Sequence, residues 1–203
     1  MIITSSRLDV CNFMKTTKNI DVKVLSKNDS FELFREEVGD VDSNALHEMS
    51  NNIVNECRGF PLAIVTLARA LRKKDKSVWI DVIPQLRKSM YGGMSHVIAS
   101  IKLSYDFLET SRTKLCFLLC ALFPKDHKVT MDALVGYEMG EGSLGEVEAL
   151  SEARGNLDMK VDTLVSSGLL VKGDDKGYVM MHDIVRDAAI PSVWTNMVNS
   201  LFL

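Results

Sequence analysis

Cys116 and Cys120 are four residues apart, so any helix holding them puts both thiols on one face, where they could form half of a metal site. Phe117, Leu118 and Leu119 fill the same helix, however, and no Cys or His pair sits nearby to complete a zinc shell. Packed, reduced thiols are the expected outcome. The four histidines, His47, His96, His127 and His182, are scattered, with no H-E-x-x-H pattern and no Ser/His/Asp motif around them. A G-x-x-x-x-G-K-S/T phosphate loop (Walker A) is absent, as is an apolar strand ending in paired carboxylates to hold magnesium (Walker B). The chain is therefore not expected to be an enzyme.

The elements that must position these residues fold from 203 residues, 46% hydrophobic and 25% charged, a composition ordinary for a globular protein. Two units of about 100 residues fit that length. A formal charge of −3 provides no global attraction for nucleic acid or anionic membrane. Four cysteines in apolar or helical contexts point to reduced thiols and a cytoplasmic or nuclear setting; the localisation expected is cytoplasmic, with the nucleus or the periphery of the plasma membrane as alternatives. No basic leader with a long apolar run is present, and no segment reaches the roughly 18 apolar residues of a membrane span.

Met1-Ile2-Ile3 has a buried-strand pattern, as though the chain entered inside a sheet whose other strands lie outside it. Ser26 followed by Asp29 predicts a capped helix through Phe31, Phe34 and Val38 that stops at Gly39. Leu46, Met49, Ile53, Val54 and Cys57 mark a second helix ending at Arg58-Gly59. Pro61 suits the first position of a third, apolar nearly all round from Leu62 to Ala68. A fourth is expected to open at Ser77, with Pro84 kinking or interrupting it. Tyr91-Gly92-Gly93 is the expected boundary.

Beyond that boundary, helical spacing holds for Val97, Ile98, Ile101 and Tyr105, and again from Leu115 to Leu122 until Pro124. Thr130 is placed to cap a helix carrying Leu134 and Val135, and another carries Leu157, Val161, Leu164 and Val165. Leu169–Lys172 and Tyr178–Met181 flank a Gly/Asp turn and predict a hairpin. Helices followed by a hairpin describe a winged helix, which raises DNA binding as a rival reading. The candidate recognition helix between Glu152 and Gly168 sets Glu152, Asp158 and Asp162 against Arg154 and Lys160. Phosphate neutralisation needs clustered cations, so no DNA partner is expected.

Three segments then become informative together: Arg58-Gly59-Phe60-Pro61-Leu62-Ala63-Ile64, Leu115-Cys116-Phe117-Leu118-Leu119-Cys120-Ala121-Leu122-Phe123-Pro124, and Met181-His182-Asp183-Ile184-Val185-Arg186-Asp187. In that order and at those separations, the chain resembles the NB-ARC module of plant disease-resistance proteins of the coiled-coil NBS-LRR class. The resemblance implies a mainly α fold. Residues 1–24 would be a remnant of an α/β nucleotide-binding domain, 25–92 an ARC1-like helical bundle, 93–190 an ARC2-like winged helix with a small β-hairpin, and 191–203 a tail.

It also implies ADP and ATP as ligands and assigns contact residues. The turn containing Gly59, Pro61 and Leu62 is expected to lie against adenine, with Phe60 where Leu is usual. His182 matches the histidine expected to meet the ADP β-phosphate in the closed state, and an imidazole can donate to a phosphate oxygen. Asp183 is expected to cap the helix that begins at Ile184. Arg7 matches a sensor arginine for the terminal phosphate of ATP, although Thr4 and Ser5 depart from the usual pattern before it. The implied function is the regulatory segment of a defence switch, contributing from the lid side in a truncated receptor, with intact resistance proteins or other receptor domains as partners. A nucleotide-independent interaction adaptor is the alternative.

Overall fold

The computed structural model describes residues 2–39, 44–140, 150–173 and 177–190. The expected 191–203 tail, the Asp174–Lys176 turn and Met1 lie outside these. A short α1 (Leu8–Phe13) precedes α2 (Lys27–Val38), α3 (Asn44–Glu56), α4 (Pro61–Leu71), α5 (Lys76–Tyr91), α6 (His96–Asp106) and α7 (Ser111–Ala121). Strand β1 (Val129–Thr130), α8 (Met131–Gly140), α9 (Leu150–Ser166), β2 (Val171–Lys172) and β3 (Tyr178–Met180) follow. Residues 183–190 form a further helix, α10. The fold is mainly α, and among the described residues no helix is long and apolar enough to cross a membrane.

Local chemistry sets half of the helix starts. Ser26 accepts from the Asp29 amide, Ser95 from Ile98 and Thr110 from Thr113, each satisfying an amide that has no partner inside its helix. Thr130 Oγ1 likewise accepts from the Ala133 amide at 3.3 Å. Pro61 occupies the first turn of α4, where its missing N–H breaks no helical bond.

Two features depart from the expected pattern here. Ile2 and Ile3 belong to no strand, and Ile2 is 94% exposed, because a strand needs neighbours for its ladder and none of the described residues pairs with it. Helix α5 starts one residue earlier than expected, after Asp75, and runs through Pro84 without interruption. The carbonyl that Pro84 leaves without a donor belongs to Ile80, a residue on the exposed side of the helix at 54% exposure.

Two cores form. The first joins Phe34, Ile53, Ile64, Leu67, Leu71, Trp79 and Val82, with Phe34 and Trp79 meeting edge to face at 6.0 Å. The second joins Phe117, Leu134, Leu157, Leu164, Leu170, Val179 and Val185. Helix α6 serves both, giving Ala99 and Leu103 to the first and Ile101 to the second.

The predicted hairpin is present as antiparallel β2 and β3, with Val171 opposite Met180 and Lys172 opposite Val179. Strand β1 extends it on the far side, placing Val129 opposite Val179, so the sheet order is β1-β3-β2.

Candidate functional site

The Gly59 turn is built by a reversal that needs left-handed backbone at two consecutive residues, Arg58 (φ 53°) and Gly59 (φ 75°). It is tight for a second reason. A Cβ on Gly59 would stand 2.5 Å from the Leu25 carbonyl oxygen, while the Leu25 amide donates to the Gly59 carbonyl at 2.9 Å. The stretch before α2 is thereby laced to the α3–α4 turn. Leu25 is a residue sequence reasoning missed, because its role rests on its backbone and its partner is remote in the chain.

Pro61 follows with an exposed ring, and Phe60 beside it is 40% exposed. Leu62 is half-buried and turns toward the second core, so the turn touches both units. An open cleft of about 440 Å³ is lined by Leu25, Lys27, Ser30, Val54, Arg58 and Gly59 itself. Pro61, Leu62 and His182 do not line it.

Helix α4 continues from this turn and anchors the second unit. Arg69 Nε donates to Glu37 Oε2 at 2.7 Å and Nη2 to Glu37 Oε1 at 3.1 Å, while Nη1 reaches the Val165 carbonyl at 3.4 Å. The guanidinium thus joins α2, α4 and the end of α9. Gly168, at φ 74°, lies over α4, where a Cβ would meet Arg69 Cδ at 3.4 Å and Val65 Cγ1 at 3.6 Å. Ser104 Oγ donates to the Ser167 carbonyl at 3.4 Å on the neighbouring α6. No hydrogen bond among the described residues joins Pro61 directly to His182.

His182 follows β3 and is exposed, while Met181 beside it packs against the second core. The His182 carbonyl accepts from the Arg186 amide at 3.0 Å, opening the bond ladder of α10, and its Nδ1 accepts from the Ile184 amide at 3.2 Å. His182 is therefore the cap. The expected capping role of Asp183 is overturned, because Asp183 already stands at the first helical position, from which its carboxylate does not reach the orphan amides. Its Oδ2 lies 3.9 Å from Lys125 Nζ, and its buried Oδ1 has no hydrogen-bond partner. Helix α10 is further held by Arg186 Nε donating to the Phe123 carbonyl at 2.7 Å and by Lys125 Nζ, 3.2 Å from Asp187 Oδ2.

Arg7 is occupied elsewhere. Its Nε donates to Asp9 Oδ1 at 3.1 Å and Nη2 pairs with the other carboxylate oxygen, which holds the Asp9 carboxyl below its ordinary range. No hydrogen bond or ion pair among the described residues links Arg7 to the Gly59 turn or to His182.

Burial pushes the Cys57 thiol up to about 12, and the hydrogen bond that the Cys120 thiol gives to Cys116, followed by burial, pushes Cys120 well above its usual range. Both stay protonated at neutral pH. Among the described residues, no group of three or more His, Cys, Asp or Glu could hold a metal ion.

No family model matches the chain. Curated proteins of Arabidopsis thaliana do. One, named a disease resistance protein, is 40% identical over 195 residues, covering 94% of this chain and 20% of that protein. Two named probable disease resistance proteins are 38% and 35% identical over 194 residues each, again covering 94% of this chain, and 21% and 23% of their own lengths. The chain spans about a fifth of the length of these relatives, and its similarity to them extends over nearly all of its own.

Proposed function

We propose that this chain is a regulatory segment of a plant defence switch of the NBS-LRR type, contributing ADP and ATP contacts from the lid side of an NB-ARC module without catalysing hydrolysis. In this reading residues 25–92 act as ARC1 and residues 93–190 as the winged-helix ARC2. Pro61 offers adenine a rigid apolar face, with Gly59 and Leu62 shaping the turn, and His182 donates to a phosphate oxygen. The observation that supports the reading is the exposure of both Pro61, at the start of α4, and His182, at the start of α10, with α4 joined to the end of α9 through Arg69 and α10 held to Phe123 through Arg186.

Switching energy comes from contacts that differ between the two nucleotides, since a ligand bound equally by both states shifts nothing. Arg7 is the candidate for reading the terminal phosphate, and it would first have to leave Asp9. That pairing favours the second reading, an interaction adaptor that works without nucleotide beside intact resistance proteins or other receptor domains. The DNA reading is weakened by local neutralisation, with Arg154 paired to Asp132 and Lys172 to Asp162. A cytoplasmic location accords with the proposed role.

Equilibrium titration with labelled ADP separates the two leading readings. The lid reading expects saturable binding that weakens roughly tenfold or more in His182→Ala, the scale of one hydrogen bond to a charged group. Absence of saturable binding below millimolar ADP rejects it in favour of the adaptor.

A further inference from the structure

We propose that the open cleft at the Gly59 turn is a binding site in its own right, taking a small organic oxyanion with an apolar body, and that it works independently of the lid reading. Its lining divides into two kinds of surface. Leu25 and the buried Val54 supply apolar wall, while Lys27, Ser30, Asn55 and Arg58 supply polar groups. At about 440 Å³ the cleft has the volume of a small-molecule site.

Charge sets the sign of the ligand. The cleft is lined by two exposed cations, Lys27 and Arg58, and by one carboxylate, Glu56. Glu56 is taken by Arg87, whose Nε donates to Oε1 at 2.8 Å and whose Nη2 lies 2.7 Å from the same oxygen. Asp29, in the first turn of α2, is occupied as well, accepting from Ser26 Oγ at 2.7 Å. The side chains of Lys27 and Arg58 make no ion pair or hydrogen bond among the described residues. By contrast Arg69, Arg72, Lys74 and Arg87 each pair with a carboxylate. Lys27 also opens α2, so the positive end of a 12-residue helix adds to the two side chains.

Ser30 supplies what a merely basic surface lacks. It lines the cleft and is 2% exposed, yet its Oγ has no hydrogen-bond partner among the described residues. A buried helical serine ordinarily returns its hydroxyl to the carbonyl four residues back, as Ser50 does to Leu46 and Ser100 to His96. The equivalent carbonyl, that of Ser26, accepts only the Ser30 amide, at 2.9 Å. A buried hydroxyl left in this state destabilises the free protein, and an oxygen brought by a ligand relieves it.

NMR titration of the full chain with phenyl phosphate, benzoate, inorganic phosphate and benzyl alcohol tests the site. The first two carry both an oxyanion and an apolar body, and the tighter of them identifies the head group as phosphate or carboxylate. At least one is expected to shift the Ser30, Asn55 and Arg58 amides saturably, with inorganic phosphate roughly tenfold weaker and uncharged benzyl alcohol without effect. Lys27→Gln and Arg58→Gln should each weaken binding about fivefold or more, the scale of one charge-assisted hydrogen bond. Ser30→Ala should weaken it too, while the ligand-free variant resists urea as well as the parent or better. Absence of saturable shifts with both aromatic anions overturns the proposal. So do shifts that inorganic phosphate reproduces at equal affinity and that Ser30→Ala leaves unchanged, the behaviour of surface cations alone. A Ser30→Ala protein that unfolds at lower urea than the parent also overturns it, since its hydroxyl is then already satisfied within the chain. No arm uses ADP, so failure here leaves the lid reading standing, and the reverse holds equally.

Discussion

Replacing Gly59 with alanine tests whether the turn carrying Pro61 is as tightly determined as the structure requires. Two costs arise. The φ of 75° places any side chain in the left-handed region, a penalty of about 1–2 kcal/mol. The new methyl group then meets the Leu25 carbonyl oxygen at 2.5 Å, the Leu25 nitrogen at 3.2 Å and Val24 Cβ at 3.1 Å. Backbone atoms cannot swing aside as the end of a flexible side chain can, so forced overpacking adds about 1–3 kcal/mol. The total, about 2–5 kcal/mol, is a large share of the stability of an ordinary domain.

Gly93→Ala isolates the first cost, because Gly93 has φ 88° but nothing lies within 4 Å of where its Cβ would stand. Urea unfolding of both variants should show Gly93→Ala losing only the conformational part and Gly59→Ala losing more. In Gly59→Ala the Leu25 amide should also lose its exchange protection, since relief comes most readily from breaking its 2.9 Å bond to the Gly59 carbonyl. Equal destabilisation of the two variants, or a Leu25 amide still protected in Gly59→Ala, would refute the close approach as the reason for glycine at this position.

Two further outcomes follow from the same packing. Arg69→Met keeps the volume but removes the paired bonds to Glu37 and the contact with the Val165 carbonyl, and urea unfolding should register a loss of about 1–3 kcal/mol, as for hydrogen bonds to charged groups; a neutral effect would mean that apolar packing alone joins α4 to α9. Burial raises the Cys57 thiol to about 12 when folded, against about 8.5 in an unfolded chain, so its contribution is fully present below about pH 8.5 and is lost as pH rises toward 12. Cys57→Ala should therefore show a shallower fall in stability between pH 8.5 and 10 than the parent, and parallel curves would contradict the burial argument.

The features legible in the sequence were those whose physics is local. Ser26 before Asp29, Thr130 before Leu134, Pro61 at a helix start and the paired runs around residues 173–177 each announce their structure within a few positions. What escaped was either too short for periodicity or remote in sequence. Strand β1 is two residues long and exists only because β3 offers it a partner. The lacing of Leu25 to Gly59 and of Arg69 to Glu37 joins residues that no local pattern connects. The cap was misassigned to Asp183 because aspartate is the usual capping residue; the helix began one residue earlier than its apolar spacing suggested and left the task to His182.

The central claim, that the Gly59 turn and His182 present a lid to a nucleotide, is tested most directly by photolabelling the chain with 8-azido-ADP and mapping the modified peptide. The account predicts adducts confined to the segment holding Gly59, Phe60, Pro61 and Leu62, suppressed by excess ADP and weakened in His182→Ala. Labelling spread over the surface and insensitive to competing ADP, or confined to Lys27, Ser30, Val54 and Asn55 with none on Phe60, Pro61 or Leu62, would contradict it.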